Sequence, residues 1–470
     1  KAGAIGFAIV AVFMMVLYLI PGVAAVIALA LYVGLVLIML TAFDITLTLP
    51  GVAGIILSVG MAVDANVIIF TRIKEEIGLG HSVKSAIKAG FSKALSAILD
   101  GNITTLIAAA VLYFRGSGTV KGFASTLAIG IVLSMFTALF ITKGALYALY
   151  AVGFEDPKFY GTKKDGKIIN FLGKKNICFI LSIVVIVAGW AGMALHKGQT
   201  GYVLNYGMDF TGGTTNVTFN EDMSLDDISA KVVPVVSKIT GDADVQTQKV
   251  AGTNEVIIKT KTLDVEQRQQ LEDAMVENFG VDAEKITAES ISGAVSTEMK
   301  KDAVWAVTIA TVLMLLYIWF RFKDIRFAAS AILALVHDVL VVVTFYSLAK
   351  WSVGSTFIAC MLTIVGYSIN ATIVIFDRIR ENLALKKAGS KQTLEEIVNL
   401  SITQTFTRSI NTSLTTFIMV FVLFLLGVSS IREFALPLMV GIVCGTYSSV
   451  CVTGALWYVL TTRKQKKAEK

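Results

Sequence analysis

Long apolar runs, separated by short charged segments, recur along most of the 470-residue chain. A helix of about 20 apolar residues can cross a hydrocarbon core about 30 Å thick, so each run predicts a membrane span. We predict eleven spans: 4–20, 23–43, 51–71, 98–114, 123–148, 177–195, 303–320, 327–348, 355–376, 409–427 and 434–460. The expected fold class is a polytopic α-helical membrane protein.

The segment 197–300 is the one long stretch without such a run. Two amphipathic stretches in it predict helices, 224–239 with Ser224 as N-cap and 264–280 closed by Gly280. Strands are predicted at 216–219, 244–250, 255–261 and 285–292. The order β-α-β-β-α-β predicts a ferredoxin-like α+β domain.

Composition and charge agree with a membrane protein. Only 16% of the residues are charged, against about 25% in soluble domains. The net charge of +7 comes largely from Lys and Arg in the segments between apolar runs. With eleven spans these basic segments fall on one side, which the positive-inside rule makes cytoplasmic. We therefore expect a cytoplasmic C-terminus, an exterior domain at 197–300 and no nucleic-acid partner.

The chain contains an internal repeat. The stretch "GMAVDANVIIFTRIKEE" (60–76) aligns without a gap to "GYSINATIVIFDRIREN" (366–382), with seven of 17 positions identical. Similarity continues between 100–114 and 411–424, and between 120–131 and 431–442. Two homologous bundles in parallel orientation are a common transporter layout, related by an axis along the membrane normal.

The repeat sets the predicted domain organisation. The second half opens with a span and an exterior domain that the first half lacks, so we expect an N-terminally truncated sequence. The predicted parts are a first transmembrane half (1–150), a cytoplasmic linker (151–176), the first span of the second half (177–196), the exterior domain (197–300), a five-span bundle (301–462) and a basic cytoplasmic tail (463–470).

An acidic residue interrupts the third predicted span. Asp64 lies near the middle of the apolar run 51–71, with Asn66 two positions on. An ionisable group at membrane depth costs about 2.5–3.5 kcal/mol on insertion scales, which marks a functional site by default. A carboxyl group there can be neutral in one state and charged in a wetter one, as proton carriage requires. The alternative is an aspartate that only bonds to a neighbouring helix.

Further polar residues lie in or near other spans. Asp100 opens the fourth run, and its counterpart in the second half is Asn411, with Arg408 just before it. Arg408 could point inward as a counter-charge or reach lipid phosphates. His337 and Asp338 lie mid-span, and we interpret them as a polar pair that ties two helices, with titration near neutral pH as the alternative.

Patterns of enzymatic chemistry are absent from the sequence. It has no GxxxxGK[ST] loop, no nucleophile elbow and no metal-ligand cluster. The glycines in "NYGMDFTGGT" (205–214) predict turns rather than a phosphate loop. We predict that the protein is not an enzyme, that it needs no cofactor, and that an ion gradient drives it.

Four stretches resemble a known family. "GMAVDANVIIFTRIKEE" (60–76) is similar to a SecD signature, whereas "YGMDFTGGT" (206–214), "VGYSINATIVIFDRIREN" (365–382) and "RSINTSLTT" (408–416) are similar to SecF signatures. Their order resembles the fused SecDF members of the SecD/SecF family, within the resistance–nodulation–division superfamily. Relative to that family, the sequence lacks SecD's first span and its large exterior domain.

The resemblance implies an accessory role in bacterial Sec protein export, in which the proton-motive force promotes late translocation of preproteins. It implies a multi-pass protein of the cytoplasmic (inner) membrane. The implied partners are the SecYEG channel, the unfolded preprotein, YajC, the YidC insertase and membrane lipids. Two alternatives are a proton-driven exporter of small molecules or lipids from the same superfamily and a non-transporting translocon assembly factor.

By motif position, Asp64 and Arg408 match the family's proton-relay aspartate and membrane arginine. The second-half motif is expected to read "NDT" but reads "NAT", so Ala371 occupies the place of a relay carboxylate, whether the exchange is natural or engineered. We expect Asp64, Asn370, Ala371 and Arg408 to meet at the seam between the halves, and proton-coupled function to be impaired. The predicted supporting polar residues are Asn66, Asn370, Thr372, Asp100 and Asn411.

Overall fold

The chain folds into two compact units. One unit, called the membrane unit here, comprises Lys1–Gly192, Ala306–Leu348 and Thr356–Lys470, and the other, called the α+β unit, comprises Met193–Trp305 and Ala349–Ser355. The structure is a computed structural model. It describes residues 2–45, 47–116, 118–161, 167–200, 203–207, 212–241, 245–250, 253–290, 293–386, 392–427 and 429–468.

Helices make up most of the chain. In chain order they are α1 (Ala2–Tyr18), α2 (Ile20–Ala42), α3 (Leu49–Gly78), α4 (Val83–Arg115), α5 (Gly118–Phe136), α6 (Thr142–Ala151), α7 (Lys175–Thr200), α8 (Leu225–Asp227), α9 (Val233–Thr240), α10 (Val265–Phe279), α11 (Gly293–Phe322), α12 (Ile325–Ala349), α13 (Ser355–Leu385), α14 (Leu394–Leu426), α15 (Ser429–Tyr447) and α16 (Gly454–Ala468). Short π-helical segments, Thr137–Ile141 and Ser448–Thr453, join α5 to α6 and α15 to α16.

The helices agree with the predicted spans. Ten stretches of the described residues are long and apolar enough to cross a membrane, and α1 is a shorter apolar helix of 17 residues. These correspond one for one to the eleven predicted runs. The two π-helical segments also fall at equivalent places of the repeat, so the six helices α1–α6 and the six helices α11–α16 follow the same order.

The helices extend well beyond the apolar runs, which corrects the loops expected there. α3 continues to Gly78 and α4 begins at Val83. Likewise, α13 continues to Leu385 and α14 begins at Leu394. Ser82 and Thr393 supply N-caps, and Thr393 forms a capping box with Glu396. Caps satisfy the first backbone amides, so charged residues outside the apolar core remain helical.

Close backbone approach joins the two bundles of the membrane unit. A methyl group on Gly60 would lie 3.3 Å from the Cα of Thr416, and one on Gly366 would lie 3.1 Å from the Cα of Thr105. The two contacts are equivalent in the repeat, α3 against α14 and α13 against α4. Helices pack closely in a membrane where residues are small, because apolar side chains gain little over lipid tails.

The α+β unit has the predicted ferredoxin-like topology. Its strands are β1 (Gly212–Thr218), β2 (Gln246–Lys249), β3 (Glu255–Lys261) and β4 (Ile286–Ser290). The sheet order is β2-β3-β1-β4 with every pair antiparallel, and Asn216 lies opposite Ile257 in the register of β1 and β3. The helical segments α8–α9 and α10 contact each other and bury apolar residues against the same face of the sheet.

Three details of this unit refine the prediction. Ser224 accepts a hydrogen bond from the Asp227 amide (3.1 Å) at the start of α8, and Gly280 ends α10 in the left-handed conformation, as expected. Gly212 and Gly213 start β1 instead of forming a turn, because the strand extends four residues before 216. Residues 208–211 and 244 lie outside the described residues.

The seam glycines give a stability prediction. We expect Gly366→Leu to lower the free energy of unfolding by about 1–3 kcal/mol, since the added side chain meets the α4 backbone. The matched control is Gly144→Leu, where nothing lies within 4 Å of an added methyl group. The measurement is unfolding of the purified chain in detergent by circular dichroism. Equal losses in both variants would show that the seam has room.

Candidate proton-relay site

The buried carboxylate of Asp64 is bonded entirely by residues of the other bundle. Asp64 lies in α3 and is 5% exposed. The amide nitrogen Nδ2 of Asn370 on α13 donates to its Oδ2 (2.7 Å), and the hydroxyl of Thr412 on α14 donates to its Oδ1 (2.9 Å). These two bonds bridge more than 300 residues of sequence. The acid of the first half is thus held by the two central helices of the second.

Arg408 points into the protein at the same place. It lies on α14 one turn before Thr412 and is 9% exposed, so the inward orientation is the one observed. The carboxylate of Asp64 is the acidic charge that acts most strongly on it. Among the described residues, Arg408 forms no ion pair closer than 4.0 Å. The guanidinium therefore lies near one acid without touching it.

Ala371 borders the space between these groups. A cavity of about 10 Å³ is lined by Asp64, Ala371, Arg408 and neighbouring residues of α13 and α14. That volume is close to the minimum for one water molecule. The structure brings Asp64, Asn370, Ala371 and Arg408 together, as twofold symmetry predicts. An acidic side chain at position 371 would therefore border the same cavity.

Asn66 and Thr372 contact their own bundles instead. The Thr142 hydroxyl of α6 donates to Asn66 Oδ1 (2.8 Å), and the hydroxyls of Thr372 and Thr453 lie 3.5 Å apart. These pairs are equivalent in the repeat. One ties α3 to Thr142, which follows the first π-helical segment, and the other ties α13 to Thr453, which ends the second. Their observed contacts are internal to each bundle and do not include Asp64.

Asp100 and Asn411 lie at a second pair of equivalent positions. The guanidinium nitrogen Nε of Arg321 on α11 donates to both oxygens of Asp100 (2.9 and 2.7 Å), and the Tyr317 hydroxyl donates to one of them (2.8 Å). Asn411 instead donates to the Tyr18 hydroxyl on α1 (3.3 Å). Both pairs join the bundles, and Asp100 bonds to Arg321 rather than to Arg408.

Four charged residues form a ring across the seam, beyond the site along α3 and α13. Arg72 contacts Glu75 (3.1 Å) and Glu381 (3.0 Å), and Arg378 contacts Glu381 (3.0 Å) and Glu75. Arg72 aligns with Arg378 and Glu75 with Glu381, so the ring has the symmetry of the repeat. Eight residues separate Asp64 from Arg72, which is about 12 Å along a helix. The ring closes the seam about two turns from the buried acid.

Comparison with known proteins identifies the family. The family model "Protein export membrane protein SecD/SecF, C-terminal" matches residues 2–152 and 271–463. The chain belongs to the SecD/SecF family. The resemblance in the sequence motifs is therefore confirmed.

Relatives of this family are similar over most of the chain. The protein translocase subunit SecDF of Bacillus subtilis is 37% identical, covering 99% of this chain and 64% of that protein. SecDF of Thermus thermophilus is 38% identical, covering 87% and 54%. The separate subunit SecF of Sebaldella termitidis is 36% identical over 64% of this chain and 95% of its own length. The chain thus spans about 54–64% of these fused SecDF relatives.

Solved SecDF structures share the fold. The crystal structure of SecDF from Thermus thermophilus, described as a translocon-associated membrane protein, has a TM-score of 0.80 at 35% identity. It covers 98% of this chain and 62% of that one. A SecDF structure in a super-membrane-facing form gives a TM-score of 0.83 at 34% identity, covering 100% and 62%. The predicted fold class, two helix bundles with an α+β domain, is confirmed.

Motif reading missed several residues of this SecD/SecF seam. Thr412 lies within the quoted "RSINTSLTT" but was not singled out, although hydroxyl residues cluster there in an otherwise apolar span. Gly101 was also missed: a methyl group on it would lie 2.0 Å from Asn370 Oδ1, so this glycine makes room for the Asn370 side chain. The charged ring carried a signal in the aligned repeat, where Arg and Glu recur at equal spacing.

The ring gives a second prediction. Exchanging the charges on α3 alone (Arg72→Glu with Glu75→Arg) keeps the net charge but makes both contacts across the seam repulsive. We expect a loss of about 1–2 kcal/mol in stability, because partly exposed ion pairs are each worth up to about 1 kcal/mol. The measurement is thermal unfolding in detergent at low salt.

The control for the ring is the same exchange in both helices. Adding Arg378→Glu and Glu381→Arg restores opposite charges at both seam contacts, so stability should return. High salt should reduce the loss in the α3 exchange through screening. If the fourfold variant is as unstable as the α3 exchange, the ring does not hold the seam.

Proposed function

We propose that this chain is the membrane part of an accessory subunit of Sec protein export, which uses the proton-motive force to promote late translocation of preproteins through SecYEG. The observation that carries the proposal is the buried Asp64 carboxylate, held across the seam by Asn370 and Thr412. An acid in this position links protonation to contact between two bundles. Family membership supports the assignment, since the relatives are named protein translocase subunits.

Protonation of Asp64 changes which hydrogen bonds it can form with its neighbours. As a carboxylate it only accepts hydrogen bonds, and Asn370 Nδ2 and Thr412 both donate. A protonated carboxyl also donates, and Asn370 Oδ1 is buried without a partner among the described residues. Rotation of the amide would let that oxygen accept the new proton. The cross-bundle bond would therefore switch direction when Asp64 takes up a proton.

A charged and a neutral state of Asp64 also act differently on Arg408. The carboxylate balances the buried guanidinium, whereas the neutral acid removes the strongest acidic charge that acts on it in a low-dielectric site. Protonation therefore favours a rearrangement that hydrates Arg408 or separates the bundles. Each proton that crosses the membrane supplies about 2.3 kcal/mol per 100 mV. This coupling is how proton flow would be converted into movement of the halves.

The same proposal includes the localisation of the protein and its partners. The protein is an integral membrane protein, and we place it in the bacterial cytoplasmic (inner) membrane with residues 197–300 outside and the C-terminus in the cytoplasm. The distribution of Lys and Arg supports this orientation. The partners are the SecYEG channel, the unfolded preprotein, YajC and the YidC insertase. The subunit acts without enzymatic chemistry and without a bound cofactor, since the proton gradient supplies the energy.

Ala371 limits this activity. The cavity beside it is lined by one carboxylate, that of Asp64, and one guanidinium, that of Arg408. At the position where the family motif is expected to carry a second relay carboxylate, this chain has a methyl group. A proton crossing the seam would then meet Arg408 without an acid on the α13 side. We therefore expect weak proton coupling in this chain.

The third prediction tests that point by Ala371→Asp. We expect a rise of about tenfold or more in proton uptake by proteoliposomes under an imposed gradient, since a tenfold effect needs only about 1.4 kcal/mol. That is less than the 2.5–3.5 kcal/mol assigned to an ionisable group at membrane depth. A dye trapped inside the vesicles reports the uptake.

Two control variants complete the experiment. Ala371→Asn has the same shape without an acid and should leave uptake low. Ala371→Asp combined with Asp64→Asn should lose the gain, because both carboxylates are needed on the path. Equal uptake by this chain and Ala371→Asp would contradict the proposal. Stimulation of preprotein export, measured separately with SecYEG vesicles, links uptake to transport.

A further inference from the structure

Another carboxylate, that of Asp338, is buried in the membrane unit apart from the Asp64 site. Asp338 lies in the middle of α12 and is 0% exposed. The proposed relay does not use it. Its position on α12 has no acid at the equivalent place in the first bundle, where α2 contains neither Asp nor Glu. Because the first bundle has no acid at the equivalent position, the repeat does not explain why an acid is buried here, and its surroundings have to.

Four groups surround the two oxygens of Asp338. The hydroxyls of Ser368 on α13 and Ser448 in the π-helical segment donate to Oδ2, the latter at 2.8 Å. The ring nitrogen Nδ1 of His337 lies 2.9 Å from Oδ1, and the Cys444 thiol of α15 lies 3.2 Å from it. Three helical elements therefore converge on one carboxylate, which agrees with the interpretation of the pair as a tie between helices.

The charge balance around Asp338 depends on a proton. Among the described residues His337 is its one ionic partner within 4.0 Å, and no Lys or Arg forms an ion pair with it. The remaining groups that face it, Ser368, Ser448 and Cys444, are neutral donors, and the Tyr447 ring lies 6.0 Å from the imidazole. An isolated buried carboxylate is costly, so a proton on the pair removes a net charge.

The second ring nitrogen of His337 is a buried atom that can hold a proton. His337 is 8% exposed, and its Nε2 has no partner among the described residues. His337 and Cys444 border a cavity of about 490 Å³, which residues of α7 also line. The Nδ1 hydrogen stays on Nδ1 and is donated to Asp338, so Nε2 is the atom that gains or loses a proton. The lost proton leaves a neutral imidazole and a carboxylate held by its hydrogen-bond donors.

We propose that His337 and Asp338 form a second proton-binding site, which holds one exchangeable proton as an imidazolium–carboxylate pair. Ser368, which donates to Asp338, is two residues before Asn370, which donates to Asp64. The helix α13 therefore contacts both acids. Proton binding at this second site stands without the proposed function, and only its coupling to transport through α13 depends on that function.

The test counts protons. The purified full chain in detergent is titrated over the interval in which histidine changes charge, roughly pH 5 to 8, and the protons taken up per molecule are measured with a pH electrode. We expect Asp338→Asn to take up one proton fewer than the parent chain, because the imidazolium loses its counter-charge. His337→Gln should also lose one proton. The double variant should lose one and not two, since both residues hold the same proton.

Matched variants separate this role from packing. Ser448→Ala removes a donor but no titratable group, so it should keep the proton even if stability falls. In an Asp64→Asn background, His337→Gln should still lose one proton, which distinguishes failure of this inference from failure of the proposed function. Infrared difference spectra over the same interval should show an imidazole contribution that is lost in His337→Gln, whereas the contributions of His81 and His196 remain. Equal proton counts for the parent, His337→Gln and Asp338→Asn would overturn the inference.

Discussion

A carboxylate between two helix bundles must find its hydrogen bonds inside the protein. In this chain Asp64 obtains both from the opposite bundle, from Asn370 and Thr412. The acid would lose both donors if the bundles separated, so the bonds fix how the halves meet as well as what the site can do. Close contacts at Gly60 and Gly366 are needed for the same reason, since the short side chains of the site reach only across a narrow seam.

Symmetry is retained in the charged ring and broken at the buried acids. The ring of Arg72, Glu75, Arg378 and Glu381 repeats the same pairs on both sides of the axis. Asp64, in contrast, aligns with Asn370, so one half supplies the acid and the other the amide that bonds to it. A single carboxylate avoids repulsion between two like charges at one buried point.

The same division appears further along the helices. Asp100 pairs with Arg321, whereas its counterpart Asn411 bonds to the Tyr18 hydroxyl. Asp338 has no acidic equivalent in the first half. Its bond to Ser368 connects it to α13, the helix that also contacts Asp64. Asp64, Asp100 and Asp338 thus differ in how their charge is balanced: by a nearby arginine, a direct ion pair and an adjacent histidine, respectively.

Periodic and local signals in the sequence determined the spans, the repeat and the ferredoxin-like order of the α+β unit. An apolar run, an N-cap such as Ser224 or a closing glycine such as Gly280 acts within a few residues, and the structure agrees with all of them. Motif position also brought Asp64, Ala371 and Arg408 to one place, because equivalent helices of a twofold repeat meet at the axis.

Contacts between distant residues were decided only by the tertiary structure. The partners Thr412 for Asp64, Arg321 for Asp100 and Ser368 for Asp338 depend on which faces of two helices touch. Helix period fixes which residues share a face but not the rotation of one helix against another. That rotation is set by packing at the seam, where glycines such as Gly101 admit the neighbouring side chain. For this reason the acids could be found from the sequence, whereas their hydrogen-bond partners could not.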